Sequence, residues 1–189
     1  MVDTEAHDRA IIKRINAVCG KNDDLYIAGD LSAGGHKSLR RALYLLDDLT
    51  VPHSRIHLIL GNHDGFHIRN TNAYDFASVC IGSISANLFL TLANGMPAII
   101  SHTPRKTYIE RGVELEDVAS NSLDKALLKY APDVPKGIAH LYGHTHGKSP
   151  DEFHDGTSIN IGLDAWRLRP VSERQIIETL TRMQTTDCT

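Results

Sequence analysis

Four short apolar segments, each followed by a polar residue that can bind a metal ion, constrain the fold of this chain more than any other feature. They span residues 25–28, 56–60, 97–100 and 138–142. Runs of this length and composition predict buried β-strands. In an open α/β sheet, ligand-binding side chains collect at the carboxyl ends of the strands. The sequence therefore predicts one site built from several strand ends.

The residues that follow these segments are of the types that bind transition-metal ions. They form the blocks Gly29-Asp30, Gly61-Asn62-His63-Asp64, Ser101-His102 and Gly143-His144-Thr145-His146. The candidate ligands, oxygen and imidazole donors together, are Asp30, Asn62, His102, His144 and His146. Such a mixture suits Mn, Fe, Co, Ni or Zn better than calcium, which prefers oxygen alone. We expect a divalent transition metal, with Mn²⁺ as the first choice.

The second block also contains a candidate acid. His63 is followed directly by Asp64, and a histidine oriented by a carboxylate is a good proton donor to a leaving alkoxide. A carboxylate such as Asp30 can bridge two ions, and ion pairs about 3.5–4 Å apart promote in-line phosphoryl displacement. The predicted chemistry is hydrolysis of a phosphodiester by a metal-activated water, with His63 and Asp64 as catalytic residues.

Composition narrows the class of protein and of partner. With 189 residues and a 41% hydrophobic share, the chain is expected to form one globular domain over residues 1–189. The net charge of −3 gives no basic field for nucleic acid, so a small phosphodiester is the expected partner. The sequence predicts neither a signal peptide nor a membrane span, and its cysteines are scattered. A cytoplasmic location is therefore expected.

Helical periodicity and turn signals organise the rest of the chain. A first helix is predicted from residue 3 or 4 to Gly20, and a second from Ser38 to Pro52. The strand–helix–strand order predicts parallel pairing of segments 25–28 and 56–60.

Later segments carry equally specific local signals. Asn94-Gly95 predicts a hairpin between residues 84–92 and 96–100. A short helix is predicted over 123–130 and a strand over 157–163. Ser172 and Gln175 form a capping box that opens a final helix.

Taken in order, the four polar blocks resemble those of the calcineurin-like metallophosphoesterase superfamily, in particular its short bacterial and bacteriophage members. The resemblance covers about residues 25–164. It implies an α/β fold in which a β-sandwich is flanked by helices and carries a two-metal site. By family role, Asp30 would bridge the ions, and His63 with Asp64 would assist the leaving group. One metal would be completed by Asn62, His102 and His144, and the other would be served by His146.

One block of the family pattern is not found before Asp30. Family members begin with a strand that ends in Asp-x-His, which supplies ligands to the first metal. We therefore expect the first strand to be missing, one metal site to be well formed and the second to be incomplete. The exposed edge beside residues 25–28 would then need a cover or another chain, which makes a homo-oligomer an option. Asp3, His7 and His36 are not favoured as substitute ligands.

Two alternatives to an active phosphodiesterase follow from the residues. The first is a catalytically impaired protein of the same fold that keeps one metal site and acts as a binding or scaffold protein. The second, a zinc hydrolase of amides, is disfavoured because no His-Glu-x-x-His motif is present. Surface or core-edge roles are predicted for the histidines outside the blocks, and solvent exposure for several basic residues: His53, His57, His67, His140, His154, Arg69, Arg105 and Lys106.

Overall fold

A computed structural model describes residues 4–65, 77, 79–105 and 131–186. Within these ranges the chain forms helices and short strands that alternate in its first part. The helices and strands are, in chain order, α1 (Thr4–Asn16), β1 (Leu25–Ile27), α2 (His36–Leu45), β2 (Ile56–Ile59), β3 (Ser83–Ser85), β4 (Asn87–Thr91), β5 (Pro97–Ser101), β6 (Ala139–Tyr142), β7 (Ser158–Asn160) and α3 (Glu173–Thr186). The predicted helix over residues 123–130 lies outside the described residues.

The strands form two sheets. One has the order β1-β2-β3 with parallel pairing throughout, so the predicted parallel pairing of the first two strands is confirmed. The other has the order β4-β5-β6-β7, in which only β4 and β5 are antiparallel. Among the described strands, β1 pairs on one side only, with β2. The result is a mixed α/β fold with two sheets and flanking helices, as the resemblance implies.

Two apolar clusters stabilise these layers. The first joins β1 and β2 to the buried leucines of α2, Leu39 and Leu43. The second joins β5, β6 and β7 to α3, and it also includes Ile59 of β2. Since successive side chains of a strand point to opposite faces, Leu58 packs in the first cluster and Ile59 in the second. β2 therefore links the two sheets into one packed structure.

The predicted hairpin is confirmed and one predicted strand is corrected. Asn94 and Gly95 form the turn between β4 and β5, and Gly95 has the left-handed φ of 84° that such turns need. The predicted strand over 84–92 is wrong as a single element. Its first part pairs with β2 and its second part with β5, with a break at Ala86. The point at which the chain passes from one sheet to the other cannot be predicted from an apolar run, because the pairing strands come from distant segments.

The ends of the remaining elements differ from prediction by a few residues. α2 begins at His36 rather than Ser38. The predicted strand over 157–163 ends at Asn160, where the backbone carbonyl accepts a hydrogen bond from the Trp166 indole at 2.8 Å. The capping box at Ser172 is confirmed, since Ser172 and Gln175 exchange hydrogen bonds at the start of α3. In the described part of the chain, no helix combines the length and apolar character that crossing a membrane requires.

Candidate metal centre

Strand register brings the polar blocks together at one edge of the structure. Ser101 of β5 lies opposite Tyr142 of β6, so the residues that follow these strands are neighbours. The Gly143 amide donates to the His102 carbonyl at 3.0 Å. In the other sheet, Ile27 lies opposite Leu58, which places the β1 and β2 loops side by side. All four blocks thus meet where their strands end.

Three of the predicted ligands converge on the ring of a fourth, His102. Its Nε2 lies 2.9 Å from Asn62 Oδ1, 3.0 Å from His144 Nδ1 and 3.4 Å from Asp30 Oδ2. The donor atoms of Asp30, His102 and His144 all lie within 4.8 Å of one another, a spacing that could hold a metal ion. The fifth predicted ligand, His146, does not belong to this group.

The environment of His102 fixes which ring nitrogen faces the other donors. The ring is 4% exposed, and its Nδ1 lies 2.8 Å from the Ala28 carbonyl oxygen. A carbonyl can only accept, so Nδ1 donates to it, and Nε2 is the nitrogen that faces the other candidate ligands. Metal-binding histidines are oriented in this way by a hydrogen bond from their second nitrogen.

The spacing of the donors fits a divalent cation. Metal–ligand bonds of about 2.1 Å place neighbouring ligand atoms about 3.0 Å apart at right angles and about 3.4 Å apart in a tetrahedron. The distances from His102 Nε2 to its three neighbours run from 2.9 to 3.4 Å. The donors are one carboxylate, one amide oxygen and imidazoles, a set typical of first-row transition ions.

Two glycines allow the blocks to approach this closely. A Cβ at Gly29 would overlap the His102 ring and the Gly61 backbone, and one at Gly61 would overlap the Asp30 carboxylate. The ligand backbone itself is in a disfavoured conformation, with φ of 53° at Asp30 and 68° at His144. Left-handed conformations of this kind cost roughly 1–3 kcal/mol each and cluster at functional sites.

Asp64 joins the β1 loop to the β2 loop. Its carboxylate accepts hydrogen bonds from the amides of Asp30 at 2.9 Å, Leu31 at 2.8 Å and Gly61 at 2.9 Å. Burial raises the pKa of Asp64, and the Asp30 charge acts in the same direction, whereas the backbone hydrogen bonds oppose the rise. The carboxylate therefore holds Asp30 in place over the end of β2.

His63 lies at the exposed edge of this arrangement. Its backbone amide donates to Asp30 Oδ1 at 2.8 Å, and its side chain is open to solvent. In the described residues, the hydrogen bonds of the Asp64 carboxylate go to backbone amides and not to the His63 ring. In this geometry the Asp64 carboxylate contacts the backbone of the two loops. The predicted catalytic roles of His63 and Asp64 stay predictions.

His146 contacts Asp164, a residue that the sequence does not identify as part of the site. Its Nδ1 lies 2.8 Å from Asp164 Oδ2, and the His146 side chain is 74% exposed. Asp164 lies in the short helical turn Leu163–Trp166 that follows β7. No local pattern distinguishes Asp164 from an ordinary turn residue, because its proximity to His146 depends on the pairing of β6 with β7.

Two residues are more buried than predicted: His140, for which the sequence predicts a surface or core-edge role, and Arg105, for which it predicts solvent exposure. His140 is fully buried, and its Nε2 is 2.7 Å from Ser101 Oγ on the neighbouring strand β5. The Arg105 side chain is only 13% exposed; it lies 3.8 Å from the Asp155 carboxylate and donates to Thr157 at 3.1 Å. Both residues therefore belong to a polar network beneath the loop that carries His102.

Known proteins support the family that this site suggests. The chain matches the calcineurin-like phosphoesterase family over residues 4–152. It is 30% identical to the Gene 66 protein of Mycobacterium phage L5 over 186 residues, which cover 93% of this chain and 82% of that protein. The Gene 66 protein of Mycobacterium phage D29 is 30% identical over 176 residues, covering 88% and 80% of the two chains.

A solved structure shares the fold. The crystal structure of a protein of unknown function from Aquifex aeolicus matches with a TM-score of 0.56 at 18% identity. The match covers 91% of this chain and 84% of that one. At this identity the likeness concerns the fold alone. The family match and the phage relatives show that the chain belongs to the calcineurin-like phosphoesterase family, whose members are metal-dependent hydrolases of phosphoric esters.

Proposed function

We propose that the protein hydrolyses phosphodiesters with a divalent transition metal, Mn²⁺ being the first to test. The observation that carries this proposal is the convergence of Asp30, Asn62 and His144 on Nε2 of His102. One carboxylate, one amide oxygen and two imidazoles at these distances form a donor set that suits a first-row divalent cation.

Each side chain of the centre has a task in this proposal. The cation would be held by four residues: Asp30, Asn62, His102 and His144. When bound, it would supply Lewis-acid chemistry, with positive charge beside the phosphate and a more acidic water. Asp64 keeps the Asp30 loop in position through its backbone hydrogen bonds. His63, at the exposed edge, donates a proton to the departing alkoxide oxygen.

Charge favours a diester over a monoester as the substrate. A diester carries one negative charge near neutral pH, whereas a monoester carries close to two, so the monoester needs more positive charge in the site. The centre already contains the carboxylates of Asp30 and Asp64. Arg105, which follows the His102 block, is held largely buried beside Asp155 and Thr157. With Arg105 held there, a bound cation would supply positive charge beside the phosphate, and a single such charge suits the less charged substrate.

Hydrolysis of chromogenic esters tests the proposal. Purified protein with Mn²⁺ is expected to hydrolyse bis(p-nitrophenyl) phosphate faster than p-nitrophenyl phosphate. His63→Gln should lower kcat on the order of 10²–10⁴-fold, with a larger effect on diesters whose leaving group is a simple alcohol, since these depend most on an acid. His154→Gln changes a histidine that is 80% exposed and outside the centre, and it serves as the matched control. Equal turnover of a diester with a simple alcohol leaving group by wild type and His63→Gln would refute the assignment of the acid.

A second candidate function is supported by the position of His146. Its hydrogen bond to Asp164 and its separation from the ligand cluster favour a protein that holds one ion without turnover, as a binding or scaffold protein. Metal analysis after Mn²⁺ loading separates the two candidates. One ion per chain without hydrolysis supports the scaffold, and two ions with hydrolysis support the enzyme.

A further inference from the structure

We propose that Glu152 is a positioning residue that holds the loop over residues 143–147, and with it the candidate ligand His144, in its metal-binding conformation, acting through Thr145. This inference rests on the proposed function in one respect: it assumes that the task of the loop is to present His144 to an ion. Glu152 belongs to the polar segment between β6 and β7 and lies outside the four blocks that the sequence singles out.

The loop needs support because its backbone is strained. His144 and His146 both have left-handed φ values, 68° and 51°. For residues with a side chain this conformation costs about 1–2 kcal/mol each relative to the ordinary helical region. Such conformations persist only where several contacts with the surrounding structure stabilise them. Thr145 lies between the two histidines and is only 5% exposed, so it is the natural anchor point.

Glu152 is the centre of the contacts that hold this anchor. Its Oε2 accepts hydrogen bonds from Thr145 Oγ1 at 2.8 Å, Tyr142 OH at 3.0 Å and Asn160 Nδ2 at 3.3 Å. Hydrogen bonds to a carboxylate are roughly twice as strong as those between neutral groups. Tyr142 and Asn160 are 0% and 1% exposed and lie opposite each other in β6 and β7. One carboxylate oxygen thus ties the strained loop to two buried strands.

The second oxygen of the same carboxylate contacts the far end of the loop. A Cβ added at Gly147 would lie 2.5 Å from Glu152 Oε1, closer than any side chain could come without displacing it. The Thr145 hydroxyl also accepts a hydrogen bond from Asn160 Nδ2 at 3.0 Å. Glu152 and Asn160 therefore fix the hydroxyl from two directions. Loss of the carboxylate would leave the two strained histidines without their main support.

The expected consequence is a loss of metal affinity without a loss of fold. Loss of a residue that hydrogen-bonds to metal ligands and orients them typically lowers metal affinity 10–100-fold. Glu152→Ala removes all three hydrogen bonds, and Glu152→Gln keeps one neutral acceptor and should show a smaller effect. Thr145→Val keeps the shape of the anchor but removes the hydroxyl that donates to Glu152. Glu178→Gln, an exposed carboxylate on α3, is the matched control.

Two measurements decide the question. Nitrogen-detected NMR of the histidine rings in metal-free protein reports loop geometry. Glu152→Ala and Thr145→Val should shift the His144 and His146 resonances and leave those of His53, before β2, unchanged. Calorimetric titration of the folded proteins with Mn²⁺ should give affinities lowered by about 10–100-fold for these two variants. Partial recovery in Glu152→Gln supports positioning, because a purely structural defect would lower stability but not the affinity of the folded protein.

Unchanged ring spectra and unchanged Mn²⁺ affinity in both variants would overturn the inference. Where Glu152→Ala does not fold, the isosteric Thr145→Val decides on the same two readouts. A wild-type protein that binds no Mn²⁺ would refute the proposed function instead, and the ring spectra of the metal-free variants would still decide the role of Glu152.

Discussion

Replacement of His140 by a residue that does not titrate should remove a defined part of the pH dependence of stability. The His140 ring is fully buried, and its Nε2 is hydrogen-bonded to Ser101 Oγ at 2.7 Å. In the described residues, its Nδ1 has no hydrogen-bond partner. Burial first, and then the positive charge of Arg105, lower the pKa of His140 from 6.5 to about 3. The folded protein therefore keeps this ring neutral under mildly acidic conditions.

The sign and size of the effect follow from proton linkage. The unfolded chain binds a proton on this residue near pH 6.5, whereas the folded chain binds it only near pH 3. Between these values the unfolded state carries more protons, so the free energy of unfolding decreases as the pH falls. Well inside this window the loss is about 1.4 kcal/mol per pH unit. From pH 7 to pH 5 it amounts to about 2 kcal/mol, because protonation of the unfolded chain is incomplete near 6.5.

Urea unfolding at pH 7 and pH 5 in the presence of a chelator measures this loss. His140→Gln keeps a donor for Ser101 but cannot titrate, so its stability should fall by about 2 kcal/mol less than that of wild type over this interval. Contributions from the carboxylates are common to both proteins and cancel in the difference. His154→Gln, at an exposed position, should behave as wild type. Equal losses in wild type and His140→Gln would refute the reasoning.

Three further outcomes are expected from the packing and hydrogen bonds of the site and of α3. Gly61→Ala should abolish Mn²⁺ binding in a calorimetric titration, because the added Cβ overlaps the Asp30 carboxylate. Gly20→Ala is the control: the nearest atom to its added Cβ is at an ordinary 3.5 Å, so this variant should bind Mn²⁺ as wild type does. Ser172→Ala should lower the free energy of unfolding in urea by about 1 kcal/mol through loss of the α3 capping box; an unchanged value would show that the cap contributes nothing. Mn²⁺ at 100 times its Kd should stabilise wild type by about 2.7 kcal/mol, and Asp30→Asn should lose most of this gain; equal gains would remove Asp30 from the ligand set.

The strands and the ligand blocks could be predicted because their signals are local. Each apolar segment is bounded by glycine or by polar residues, and each block follows its strand directly in the sequence. The parallel pairing of β1 and β2 also follows from local order, since a helix connects them. For such residues the fold adds only the register that brings neighbouring strand ends together. This is why Asp30, Asn62, His102 and His144 could be predicted as ligands, together with His146, from sequence alone.

The errors lie where a residue's environment is set by segments far away in the chain. The sequence of residues 84–92 contains no local signal for the position at which the chain passes from one sheet to the other. His140 looks like any histidine in a strand, but its ring is buried, beside Tyr142 and 2.7 Å from Ser101 of β5. Arg105 likewise lies beside Asp155, which is brought there by the loop that precedes β7. In each case tertiary pairing, and not local pattern, decides the environment.

The same distinction separates the residues that bind an ion from those that support them. In this fold the candidate ligands lie at strand ends, where several segments approach one point, so their positions are limited by the secondary structure. A supporting carboxylate has no such restriction and can come from any loop that passes behind the ligands. Glu152 can act as such a support because Tyr142 lies opposite Asn160 in the β6–β7 register. The side chains of Tyr142, Asn160 and Thr145 therefore all donate hydrogen bonds to the same oxygen, Glu152 Oε2. Since those donors are buried, an acceptor there is needed to avoid unsatisfied polar groups. The support is therefore dictated by strand register, and it becomes visible only when that register is known.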